Sequence, residues 1–165
     1  MVSLLLLPLL VTGTMRPHLG DPAPAFVAKT LAGESLRSES LQGQITVLEF
    51  FASWCEPCQQ SLSEILTIRE RRGLHFKLVV VAVEGDVMPL RKFLANHPLP
   101  AEIAVVLDGD GILARMFGED RLPTAFFLDE RAILRHINRG HGLGFRDRIT
   151  RWLSDMITTP ARPGF

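Results

Sequence analysis

The sequence predicts an α/β domain organised around a parallel sheet, and three observations carry that prediction. The stretches ITVLEFFA (Ile45–Ala52) and FKLVVVAV (Phe76–Val83) are apolar on both alternating faces almost throughout, as strands in the middle of a parallel sheet are. Between them Leu62, Ile65, Leu66 and Ile68 recur at helical spacing. Strand, helix and strand in that order form a βαβ unit, whose crossover is right-handed by default. A chain of 165 residues suffices for one such domain with a leader or tail to spare. A domain of roughly 150 residues hides about 70% of its unfolded surface, so no disulfide is needed to hold it together.

The other elements follow in order. Gly20–Gln42 is turn-rich and mixed, with Phe26–Ala28 a short edge strand and a turn at Ala32–Gly33. The helix after the first long strand is expected over Cys58–Arg72. Arg69, Arg71 and Arg72 load its last turn with cations and Gly73 stops it, the arginines forming a solvated helix end. After Phe76–Val83 come a helix at Val87–Asn96, a strand at Ile103–Leu107 and a short helix at Gly111–Phe117. Arg121–Glu130 gives a strand after Pro123, with Ala132–Asn138 as its hairpin partner across an Asp129-Glu130-Arg131 turn. Gly144–Ile157 is a closing helix, with Phe145, Trp152 and Leu153 assigned to the core. The expected organisation is a signal-like or anchor segment at 1–19, one domain at 20–158 and a loose tail at 159–165.

Eighteen basic residues balance eighteen acidic ones. Nucleic-acid-binding domains carry a strong positive excess, so the balance argues against that class. No apolar run reaches the ~18 residues of a membrane-spanning helix. The N-terminus does carry an apolar run, Val2–Val11, followed by Val11-Thr12-Gly13 as a small-residue cleavage site, which resembles the h-region of a secretory signal. No Lys or Arg precedes the run and Pro8 interrupts it, so a short hydrophobic strand or frayed tail is the competing reading. The first reading places the protein outside the cytoplasm, periplasmic or associated with the membrane through this segment. The second leaves it cytoplasmic.

The chain has two cysteines, Cys55 and Cys58, both inside EFFASWCEPCQQ. They are either half of a metal site or one redox couple. A structural zinc site needs four ligands, commonly two Cys-x-x-Cys pairs or one pair with two spaced histidines. There is no second pair, and His18, His75, His97, His136 and His141 do not supply the spacing. The redox reading fits the position, since Cys55 follows a central strand at the start of a helix. There, unpaired N–H groups and the helix dipole favour a thiolate. The first cysteine attacks a disulfide and the second, one turn further in, resolves the mixed disulfide. Pro57 is tolerated in a first helical turn, where its missing N–H would have no partner.

WCEPC, preceded by VLEFFAS, resembles the active site of thioredoxin-fold proteins. More narrowly, from Gly20 to Ile157 the chain resembles the TlpA/ResA-like thiol-disulfide oxidoreductases of bacteria. GDPAPAF is similar to their entry segment, and FGEDRLPTAFFLDE to the region of their cis-proline, which falls on Pro123. The resemblance implies a thioredoxin-like three-layer α/β/α sandwich, with a central mixed sheet and an extra strand–helix insertion between Cys55 and Pro123. The acidic residue that thioredoxins bury beneath the active site falls on Glu49, one methylene longer. Some ResA-like members carry a glutamate three residues after the second cysteine, where this chain has Ser61. Peroxiredoxins share the entry segment, but Ala52 and Leu48 stand where their catalytic cysteine is preceded by Pro and by Thr or Ser, so direct peroxidase chemistry is not expected.

Roles follow for individual residues. Cys55 is the nucleophile and Cys58 the resolving thiol. Glu49, on a strand face with Ile45, Val47 and Phe51, is a desolvated carboxylate held near proton-transfer range; a glutamate at a strand end reaching water is the plainer alternative. Glu56 opposes the thiolate, which makes the couple more reducing. Trp54, Glu56 and Pro57 flank the thiols as contacts for substrate. A cis bond at Pro123 implies a groove where the Leu122 backbone pairs with extended substrate and metal is kept from the thiols. No cofactor is implied. Partners are a protein disulfide and an upstream thiol donor, with apocytochrome c a possible client if the protein is exported. The rival reading is a non-catalytic, metal-handling or chaperone-like thioredoxin-fold binding module. Copper chaperones on this fold separate their cysteines by three residues, whereas here two intervene.

Overall fold

The computed structural model describes residues 16–71 and 73–159; most of the signal-like segment, Arg72 and the tail from residue 160 lie outside them. The described chain opens with a small antiparallel ribbon, β1 (Val27–Lys29) and β2 (Ser35–Arg37), and a 3-10 turn at Ser38–Leu41. Then come β3 (Thr46–Phe51), α1 (Glu56–Arg69), β4 (Lys77–Ala82), α2 (Val87–Asn96), β5 (Ala104–Leu107) and α3 (Ile112–Met116). The chain closes with β6 (Thr124–Leu128), β7 (Leu134–Arg139) and α4 (Phe145–Thr158). The main sheet has five strands in the order β5-β4-β3-β6-β7. β3, β4 and β5 run parallel, while β6 and β7 are antiparallel to their neighbours. The unit β5–α3 is the inserted strand and helix.

Two apolar layers explain why the central strands read as unbroken hydrophobic runs. Val47 and Phe51 of β3, Val80 and Ala82 of β4, and Ala125 and Phe127 of β6 face α1, α2 and α4. The alternate residues, among them Leu48, Phe50, Val79, Val81 and Phe126, face the entry segment and α3. On that second side the ring of Phe117 lies 5.5 Å from Phe50 and 5.0 Å from Phe126, which pins the inserted unit to the sheet.

Several elements differ from the sequence reading. Helix α1 starts two residues earlier, because the Cys55 carbonyl already accepts the N–H of Gln59, and it ends at Arg69, so that the chain turns Leu74 and Phe76 into the core. Arg69 is not a solvated end. Its Nε donates to Phe76 O at 3.3 Å and its Nη1 to Glu102 at 2.9 Å. The edge strand lies at Val27–Lys29 and has a partner the sequence reading lacked, β2, whose Leu36 is buried. β6 begins directly after Pro123, as the sequence suggests, and stops short of Asp129. Before it, Glu119 takes the N–H groups of Asp120 and Arg121; after it, Asp129 takes those of Arg131 and Ile133. β7 starts at Leu134 because Ala132, at φ 58°, belongs to the turn. Trp152 is half-buried, stacked on His136 at 4.5 Å, while Phe145 and Leu153 are fully in the core.

Candidate active site

Strand polarity brings the C-terminal end of β3, the start of β6 and the end of β7 together at one end of the sheet. Cys55 leaves β3 there. Its N–H donates to Ala52 O at 3.1 Å, and its carbonyl accepts from Cys58 and Gln59. Cys55 is the N-cap of α1, with extended backbone (φ −92°, ψ 101°) and Pro57 in the first turn behind it. Its side chain therefore lies at a helix start, where the helix dipole favours negative charge. Cys55 and Cys58 are joined in a disulfide, with S–S 2.07 Å. Cys55 is 8% exposed and Cys58 fully enclosed. Trp54, 71% exposed, stands beside them with Glu56 and Pro57, also at the surface. The Leu122–Pro123 bond is cis, Leu122 is half-buried, and Pro123 O accepts the N–H of Gly140 at 2.7 Å. That bond ties the proline segment to the loop before α4.

Glu49 is fully buried rather than reaching water. It pairs in register with Val80 on β4 and Ala125 on β6, and alternation puts it on the α1 side with Val47 and Phe51. Its Oε1 accepts from Ser61 Oγ at 2.6 Å. Its Oε2 is buried with no hydrogen-bond partner among the described residues. Desolvation pushes its carboxyl up to about 8, against the downward pull of the Ser61 hydrogen bond. A carboxyl in that range gains and loses a proton near neutral pH, as a thiol-handling base must.

The sequence reading missed a second carboxylate. Glu84, buried just beyond β4, accepts the N–H and hydroxyl of Ser53, and the Ser53 carbonyl accepts from Gln59 Nε2 at 2.7 Å. The turn into Cys55 is thus held from the neighbouring strand and from α1. The usable signal was an acidic residue directly after a buried parallel strand, at the strand ends where α/β proteins gather their chemistry. Glu119, with Arg139 at 3.3 Å, fixes the approach to Pro123 in the same manner. Among the described residues, no group of three or more His, Cys, Asp or Glu is placed to hold a metal ion.

Comparisons with known proteins agree with this geometry. The model of the AhpC/TSA family matches residues 19–137. The thioredoxin-like protein YneN of Bacillus subtilis is 31% identical over 126 residues, 73% of this chain and 71% of that protein. The thiol-disulfide oxidoreductase ResA of Geobacillus thermodenitrificans is 27% identical over 124 residues, 73% of this chain and 69% of its own. A solved Chlorobium tepidum chain, described as a thiol:disulfide interchange protein DsbE, is similar with a TM-score of 0.77 and 26% identity, over 86% of this chain and 99% of that one. With a helix-capping Cys-x-x-Cys on this sheet and these relatives, the chain belongs to the AhpC/TSA family, as a ResA-like thiol-disulfide oxidoreductase of the thioredoxin fold.

Proposed function

We propose that this protein reduces protein disulfides outside the cytoplasm, taking electrons from an upstream thiol donor and storing them in Cys55 and Cys58 without a further cofactor. The reduced Cys55 thiolate attacks one sulfur of a client disulfide. That bond breaks, and the departing client sulfur takes up a proton. Cys58 then passes its proton to Glu49 and attacks Cys55 Sγ. The bond between Cys55 and the client breaks, and the second client sulfur leaves and is protonated. Two electrons have moved, and the donor dithiol resets the pair. The observation that supports this order is the unequal burial of the two cysteines, Cys55 8% exposed at the helix start and Cys58 fully enclosed.

Trp54, Glu56, Pro57 and Leu122 frame the contact surface, and Pro123 shapes the groove for an extended client. Apocytochrome c is a candidate client. The working unit is 20–158, with 1–19 directing export or anchoring and 159–165 dispensable. The test is trapping. Cys58→Ser should accumulate mixed disulfides with clients and Cys55→Ser should not; equal trapping by both variants overturns the assignment. Insulin reduction with dithiothreitol, alongside metal analysis of the purified protein, separates this reading from a binding module.

A further inference from the structure

We infer that Ser61 is a positioning residue for the proton transfer, its hydroxyl holding one oxygen of Glu49 so that the other is left to receive the proton of Cys58. The inference rests on the reading of Glu49 as the proton acceptor. Ser61 follows Cys58 by three residues, which on a helix places both on one face, and both are buried. Its Oγ lies 2.6 Å from Glu49 Oε1, within hydrogen-bond distance. Glu49 Oε2 is enclosed, with no hydrogen-bond partner among the described residues.

Little else in the pocket steadies a negative charge. Val80 and Ala82 of β4, Ala125 and Phe127 of β6, and Phe145 and Ile149 of α4 line this side of the sheet and carry none. Cys55 and Cys58 belong to the same buried cluster. Elsewhere, Glu64 is engaged with His141 and Arg146, and Glu84 is bound to Ser53. Burial favours the neutral acid, and a neutral acid accepts no proton. The Ser61 hydroxyl therefore does two things. It favours the ionised form, and it fixes which oxygen is free. In the step itself the proton passes from Cys58 Sγ to Glu49, Cys58 Sγ bonds to Cys55 Sγ, and the departing thiol leaves from Cys55.

Stopped-flow reaction of the reduced protein with 5,5′-dithiobis(2-nitrobenzoate) separates the two thiols. The first release of nitrothiobenzoate reports attack by Cys55, and the second reports resolution by Cys58. Ser61→Ala should slow the second phase about tenfold at neutral pH, the loss expected for one hydrogen bond to a charged group. It should also move that phase's pH midpoint upward and leave the first phase unchanged. Ser61→Thr, which keeps the hydroxyl, should restore the second phase, and Ser61→Ala should add nothing in a Glu49→Gln background. If Glu49→Gln slows the second phase and Ser61→Ala does not, the role of Ser61 is overturned and that of Glu49 stands. If Glu49→Gln leaves the second phase intact, both fall. Equal slowing of both phases by Ser61→Ala, or the same loss in the Glu49→Gln background, marks a purely structural residue and overturns the inference.

Discussion

Glu84 grips Ser53 by two atoms, its carboxylate accepting both the backbone N–H and, at 2.9 Å, the hydroxyl of the residue two positions ahead of Cys55. Both partners are buried. Removing the carboxylate strands two donors away from water. Glu84→Ala should cost about 3 kcal/mol, the scale for lost charge-assisted bonds and unsatisfied buried groups. Urea denaturation of the oxidised protein should show a lower midpoint at unchanged slope. Glu84→Gln, which keeps one acceptor oxygen, should lose less.

Stability should fall with rising pH across the neutral range. Glu49 keeps its proton in the folded protein up to about 8, against an ordinary 4.5. Between those values the folded state binds one proton more than the unfolded state, so the free energy of unfolding decreases as pH rises and levels off above the upper value. The full span is about 5 kcal/mol from this group alone. Denaturation of the oxidised protein at several pH values between 5 and 8 should show the decline, and Glu49→Gln should remove most of it. A wild-type curve parallel to that of the variant contradicts the burial argument.

The redox couple should be a reductant, nearer to about −270 mV than to about −120 mV. Glu56 stands between the cysteines at the surface and disfavours the Cys55 thiolate. Solvent screens it, so the effect is modest. Glu56→His should raise the potential measured against a glutathione or dithiothreitol buffer and lower the Cys55 pKa. A wild-type value above about −150 mV, or a more reducing variant, contradicts the charge argument.

Phe117 sits on the face of the sheet opposite the cysteines. Phe117→Ala should cost about 3–5 kcal/mol, the usual loss for a buried aromatic ring, by releasing α3 from Phe50 and Phe126. Thiol reactivity below the unfolding transition should be nearly unchanged. A large change in Cys55 reactivity would show that the two layers are coupled through β3.

Legibility tracked locality. β3 and β4 were plain because burial on both faces leaves a β-branched-rich apolar run of strand length bounded by polar and turn residues. The first turn of α1 lies outside the apolar periodicity, and only the place of Cys55 after a strand and of Pro57 behind it signalled that turn, which a backbone bond from Gln59 to Cys55 closes. β2 is three residues long, and its place depends on where Leu36 finds the core. At the site, the cysteine spacing and a lone carboxylate inside an apolar strand could be read directly. Ser53 with Glu84, and Ser61 with Glu49, join residues 31 and 12 positions apart, and only the folded chain brings them together.

The entry segment reaches both margins of the main sheet. Gly20, Asp21 and Ala23 exchange backbone hydrogen bonds with Ala132 in the turn before β7 and with Leu134 at its start, while Leu31 donates to Val105 and Thr30 bridges Val106 on β5. An uncovered edge strand is a template for another chain, and Ala104–Leu107, all apolar, is the kind of edge that recruits one. One short peptide therefore works as a guard against self-association. The two margins therefore stand or fall together, since losing residues 20–31 would bare backbone groups of β5 and of the turn into β7 at once.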